Sequence, residues 1–123
     1  MTSDLTTRKV SQRLMEVGFS ADTIYNWVLV KDVNGVEDYE LKEWYNSDSS
    51  PAYSASTLFE WLRAKYHSDP NLALDIQATE ITIWLNIGHN PDEEEKEFEY
   101  KTSLADMLGE SIIWILTQEK ENK

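Results

Sequence analysis

The chain has no cysteine, three prolines, four glycines and only 11 lysines and arginines against 23 aspartates and glutamates in 123 residues. Each shortage excludes something. Without cysteine there is no disulfide framework, no thiolate metal site and no cysteine nucleophile, and the expected compartment is the cytoplasm. Four glycines leave little room for a phosphate cradle, and G-x-S-x-G, Gly-rich loop and H-E-x-x-H motifs are all missing. The apolar runs are a few residues long, far below the roughly 18 that a bilayer span needs, and the polar stretch from Met1 to Lys9 has no apolar signal region. Export and membrane insertion are therefore not expected.

The scarcity of cations gives a formal charge of −12, which repels phosphates and anionic lipid alike. The imbalance is uneven. Residues 1–31 carry Arg8, Lys9, Arg13 and Lys31 against Asp4, Glu16 and Asp22, a net +1, which leaves −13 for residues 32–123. Nucleic acid is not expected as a partner for the surface as a whole, and any contact with it falls to the first quarter of the chain. The densest acidic run, from Asp92 to Glu97 with Glu99 behind it, reads as a solvated loop over residues 89–97.

What is abundant is core material. Apolar residues make up 41% of the chain, with five Trp, six Tyr and three Phe, enough for a single domain over residues 1–123. Leu5, Val10, Leu14 and Val17 share a helical face, with Ser3 or Thr6 as N-cap and Gly18 closing the helix. From Tyr25 the period becomes two, with Tyr25, Trp27 and Leu29 opposite Asn26, Val28 and Val30. Asn34-Gly35 then predicts a hairpin, because both residues tolerate positive φ, and Tyr39 and Leu41 mark the returning strand. The Ser- and Asp-rich stretch from Asn46 to Tyr53 reads as a loop.

Thr57 and Glu60 have capping-box spacing ahead of a second helix with Leu58, Trp61, Leu62 and Tyr66 on one face, ended before Pro70. Leu72, Leu74 and Ile76 alternate as a strand, as do Ile81, Ile83, Leu85 and Ile87, and Phe98 with Tyr100 suggests a short edge strand. A last helix starts at Thr102 or Ser103, with Asp106 in its first turn. Leu104, Ala105, Leu108, Ile112, Ile115 and Leu116 form its stripe, Ile113 and Trp114 widen it, and residues 118–123 are expected to fray. The order helix, hairpin, helix, strands, helix predicts an α+β fold: one antiparallel sheet of four to five strands with three helices packed on it.

Candidate chemistry is sparse. His67 falls at the end of the second helix. His89, with Asp92 or Glu93 beside it, lacks the second imidazole that a metal site would use, so no metal, cofactor or catalytic set is expected. Trp27, Trp61 and Trp84 lie inside elements and read as core. Trp44, Tyr45 and Tyr53 stand outside them and are the expected exposed aromatic patch, a partner surface together with Glu93, Glu94, Glu95 and Glu97.

Two resemblances remain. Leu5 to Leu14, a turn at Gly18-Phe19-Ser20 and Ala21 to Trp27 resemble the helix-turn-helix of excisionase and MerR-like proteins, which implies a DNA-binding regulator using residues 6–27. Val10 to Phe19, Tyr25-Asn26-Trp27, Pro51-Ala52-Tyr53-Ser54, Leu58 to Leu62, Ile83-Trp84 and Thr102 to Leu108, in that order, resemble a family of small uncharacterised proteins of phages, prophages and mobile elements of gut bacteria. That resemblance spans nearly all of the chain and implies a genomic context without assigned activity. The expectation is a non-enzymatic accessory or protein-interaction module in the host cytoplasm. A third reading takes Glu37, Asp38, Glu40 and Glu43 with the run from Asp92 to Glu99 as an acidic imitation of duplex phosphates.

Overall fold

The computed structural model describes residues 4–86 and 93–121. Its elements are α1 (Arg8–Glu16), β1 (Tyr25–Lys31), β2 (Glu37–Lys42), β3 (Ser50–Ala52), α2 (Ala55–Ser68), β4 (Leu72–Ile76), β5 (Glu80–Leu85), β6 (Glu94–Glu99) and α3 (Leu104–Glu121). The fold is α+β with three helices, and all strand pairs within its sheets are antiparallel. The expected single sheet is instead two three-stranded sheets, β2-β1-β3 and β4-β5-β6. Periodicity marks strands and their buried faces but says nothing of which strand takes which neighbour.

The division is made by β3, within the stretch expected to be a loop. Ser50, Pro51 and Ala52 pair with Trp27, Asn26 and Tyr25, closing the first sheet before α2 begins. Proline is tolerated there because β3 is an edge strand. The β1–β2 hairpin forms where expected, with Lys31 opposite Glu37. Of Asn34 and Gly35, only Gly35 has positive φ, at 80°, so Asn34 does not take the second left-handed position. Asp32 locks the turn instead: its Oδ1 accepts from the amides of Asn34 and Val36.

The starts of α1 and α2 differ from expectation, whereas α3 starts after Ser103 as expected. At α1 the N-cap is Thr7, whose side chain makes no capping bond. Ser54 caps α2, three residues before Thr57, by accepting from the Thr57 amide. At α3, Ser103 Oγ accepts from the Asp106 amide. Asp4 serves two helices: its carbonyl accepts from Ala55 and its Oδ1 from Ala105. The end of α3 is also extended. It runs to Glu121 rather than fraying from 118, and Glu119 is anchored by an ion pair to Lys65 of α2.

The core gathers around α3. Leu14 of α1, Leu58 and Leu62 of α2, and Ile81 and Ile83 of β5 are fully buried with Ile112 and Ile115 of α3. Leu104 and Tyr66, placed by periodicity on the buried stripes of α3 and α2, are 36% and 47% exposed. Close approach of α1 to α3 requires Gly109, because a Cβ there would lie 2.6 Å from Val10 Cγ1.

Candidate interaction surfaces

The ends of these elements meet at Thr6, which is fully buried. Its amide donates to the Tyr53 carbonyl and its Oγ1 accepts from the Tyr53 amide. Trp27 Nε1 donates to its carbonyl, and its Oγ1 shares a 2.6 Å hydrogen bond with Ser11. One residue thus ties α1 to β1 and to the β3–α2 junction. Satisfying every polar atom at a buried site in this way gives the junction a single geometry.

Tyr53 belongs to that junction and not to an exposed patch: it is 2% exposed, packed edge-on against Phe19 with ring centroids 4.8 Å apart. Burial pushes its phenol above the ordinary 10.0, opposed by a hydrogen bond to the Ala21 backbone. Its backbone pairing with Thr6 places it directly before a buried helix start, which composition could not reveal.

Trp44 and Tyr45 do lie on the surface, 52% and 77% exposed. They follow β2 and precede a turn in which Asn46 accepts from Ser49 and Asp48. The pair is therefore presented on a hydrogen-bonded support at the root of the hairpin. The hairpin is tethered to α1 by Arg8, whose guanidinium carbon lies 4.3 Å from the centroid of the Tyr39 ring.

The acidic run is ordered from Glu94 onward as β6, so the loop expected over 89–97 does not extend that far; residues 87–92 lie outside the described residues. Strand alternation sorts its charges. Phe98 turns inward towards Trp114, which puts Glu95, Glu97 and Glu99 on the opposite, solvent face. There they stand across from Trp84, Thr82 and Glu80 of β5, with Asp75 beyond Thr82 on β4. Glu93 and Glu94 are exposed as well.

On the other side of β6, a trough of about 880 Å³ opens between β6 and α1, with α3 beneath it. Val10, Met107, Ile113 and Trp114 contribute to its lining, and Lys9, Lys96 and Lys101 stand around it. Arg13 and Glu110 are paired across one side at 2.5 Å. Asp106 is 7% exposed and accepts from the Thr7 amide and the Thr102 hydroxyl. Lys9 is visible in sequence only as one of the cations of the first quarter and Lys96 as a lone cation inside a run of glutamates; nothing local brings them together with Lys101.

No second helix follows Gly18-Phe19-Ser20. Residues 25–31 form the central strand of the first sheet, with Trp27 half-buried against Thr6. The recognition helix required by a helix-turn-helix is thereby replaced by a strand, because Tyr25, Trp27, Val28 and Leu29 favour a pleated surface and the strand they form has β2 on one side and β3 on the other. His67 is exposed at the end of α2 beside the Tyr66 ring, and His89 lies outside the described residues. Among the described residues no helix is long and apolar enough to cross a membrane.

Comparison with family models, with curated proteins and with solved structures found no match to this chain.

Proposed function

We propose that the protein is a non-enzymatic interaction module of phage or prophage origin, acting in the cytoplasm of a bacterial host and binding a protein partner through Trp44 and Tyr45. The observation that carries this reading is the exposure of that pair, 52% and 77%, on a locally hydrogen-bonded turn. Tryptophan and tyrosine bury large areas with few rotatable bonds and dominate binding energies where they sit at an interface's centre. A turn that already fixes their backbone reduces the ordering cost of binding.

The test is affinity purification from the producing bacterium of the wild-type chain and of Trp44→Ala/Tyr45→Ala, with equal thermal midpoints verified first. One protein should accompany the wild type at defined stoichiometry and be lost from the double variant. Absence of such a protein, or its retention by the double variant, overturns the reading.

A second reading, imitation of duplex phosphates, is favoured by the row Glu95, Glu97, Glu99 beside Glu80 and Asp75. Alternate strand residues repeat every ~6.7 Å, twice the ~3.4 Å per phosphate along one DNA strand, so the row alone supplies half the charge density. It therefore ranks below the aromatic surface. Neutralising Glu93, Glu94, Glu95 and Glu97 together should release a basic DNA-binding partner if this reading holds; an unchanged set of partners leaves the acidic run a solvating feature.

A further inference from the structure

We infer that the open edge of β6 accepts an extended segment of a partner protein as a fourth strand of the second sheet, laid into the trough between β6 and α1. The segment alternates basic residues, facing outward, with apolar residues facing α3. This surface is separate from Trp44 and Tyr45.

Three observations lead there. First, β6 is an edge strand, joined only to β5 in the order β4-β5-β6. The Tyr100 amide donates to the Thr79 carbonyl, which sets the phase of the ladder. Hydrogen-bonded pairs alternate along an antiparallel ladder, so Phe98, Lys96 and Glu94 bond to β5, and the main-chain groups of Glu95, Glu97 and Glu99 point away from it. Among the described residues, no other part of the chain is hydrogen-bonded to the backbone of Glu97 or Glu99. Unpaired edge groups of this kind are the template used in strand addition.

Second, there is space beside that edge. The trough of about 880 Å³ is lined by Glu97 and Glu99 on one side and Lys9 and Val10 on the other. Its floor offers Met107, Ile113 and Trp114 of α3 to inward-facing apolar side chains. Its size lies within the roughly 300–1,000 Å³ of sites that enclose whole ligands.

Third, the charges select the segment. Outward residues of an added strand would stand directly opposite Glu95, Glu97 and Glu99, where like charges are destabilising and cations favourable. Inward positions meet the apolar floor and the rim lysines Lys9, Lys96 and Lys101, none of which is in an ion pair among the described residues. The carboxylates that also line it, Asp106 and Glu110, are already engaged by Thr7 and Thr102 and by Arg13, so cations are disfavoured on that side. A segment with the opposite placement, acids outward, meets repulsion along the whole row.

The test uses the full chain and two fluorescein-labelled seven-residue peptides, one alternating lysine with valine and one alternating glutamate with valine. Anisotropy titration is performed at two salt concentrations, and amide exchange is followed by NMR. The lysine peptide should bind at least tenfold more tightly than the glutamate peptide and slow the exchange of the Glu95, Glu97 and Glu99 amides. Glu97→Pro removes an outward amide without touching a β5 bond and should abolish that binding, with circular dichroism confirming the fold. Glu95→Lys/Glu99→Lys, which leaves the backbone intact, should invert the preference between the two peptides. Equal binding of both peptides, binding unchanged in the two variants, or protection that misses these three amides overturns the inference. Retention of lysine-peptide binding by Trp44→Ala/Tyr45→Ala separates this surface from the hairpin one.

Discussion

The amide of Thr7 donates to Oδ1 of Asp106 at 2.8 Å, joining the start of α1 to the first turn of α3 across 99 positions of sequence. The other carboxylate oxygen accepts from Thr102, so a single side chain satisfies an orphan donor of one helix and the segment leading into another. Asp106 is 7% exposed, which makes both bonds costly to leave unmade.

Asp106→Ala should therefore destabilise the fold by about 2–3 kcal/mol, through loss of charge-assisted hydrogen bonds and an unsatisfied Thr7 amide. Asp106→Asn keeps one acceptor and should cost about half as much. Urea unfolding with an unchanged slope and a lowered midpoint is the check.

Gly109→Ala places two effects in opposition. Alanine favours a helix interior by about 1 kcal/mol over glycine, but its Cβ would sit 2.6 Å from Val10 Cγ1. Val10 is 5% exposed and β-branched, so it cannot swing aside, and overpacking of about 1–3 kcal/mol should win. In a Val10→Ala background the same glycine substitution should become neutral or stabilising. A double-mutant cycle by chemical denaturation reads this coupling, and simple additivity would contradict the close approach of α1 to α3.

Tyr53 gives a pH dependence with a definite sign. Its folded-state pKa is raised above 10.0 chiefly by burial, so the native state holds the proton more tightly than the unfolded chain. The stabilisation is complete below about pH 10 and is lost as pH rises through the higher folded value. Tyr53→Phe, lacking the hydrogen bond to Ala21, should be less stable at pH 7 by about 0.5–1.5 kcal/mol. The gap between wild type and variant should close above pH 10, as measured by paired denaturation curves.

The fold was legible wherever a residue's partner lies within a few positions. Val10 and Leu14, the Asp32–Gly35 turn and the alternation of Ile81, Ile83 and Leu85 announce themselves, since 3.6- and 2-residue periods are local properties. Pairing between distant segments was not legible. Nothing within Ser50-Pro51-Ala52 signals a strand until β1 supplies its edge, and nothing local shows that Tyr53 is held by Thr6. Of the candidate surface, Trp44 and Tyr45 could be read as exposed because they fall between elements. The trough could not, because Lys9, Lys96 and Lys101 converge only when β6 and α1 are placed on either side of α3.

Site-specific photocrosslinking in the producing bacterium tests the interaction reading most directly. A benzophenone amino acid replaces Tyr45 in one strain and Val33, fully exposed at the hairpin tip, in another. Irradiation should give one discrete adduct of a single partner protein at position 45 and none at 33, with the adduct lost on adding Trp44→Ala. No adduct at position 45, or the same adducts at both positions, would contradict a partner surface at the root of the hairpin.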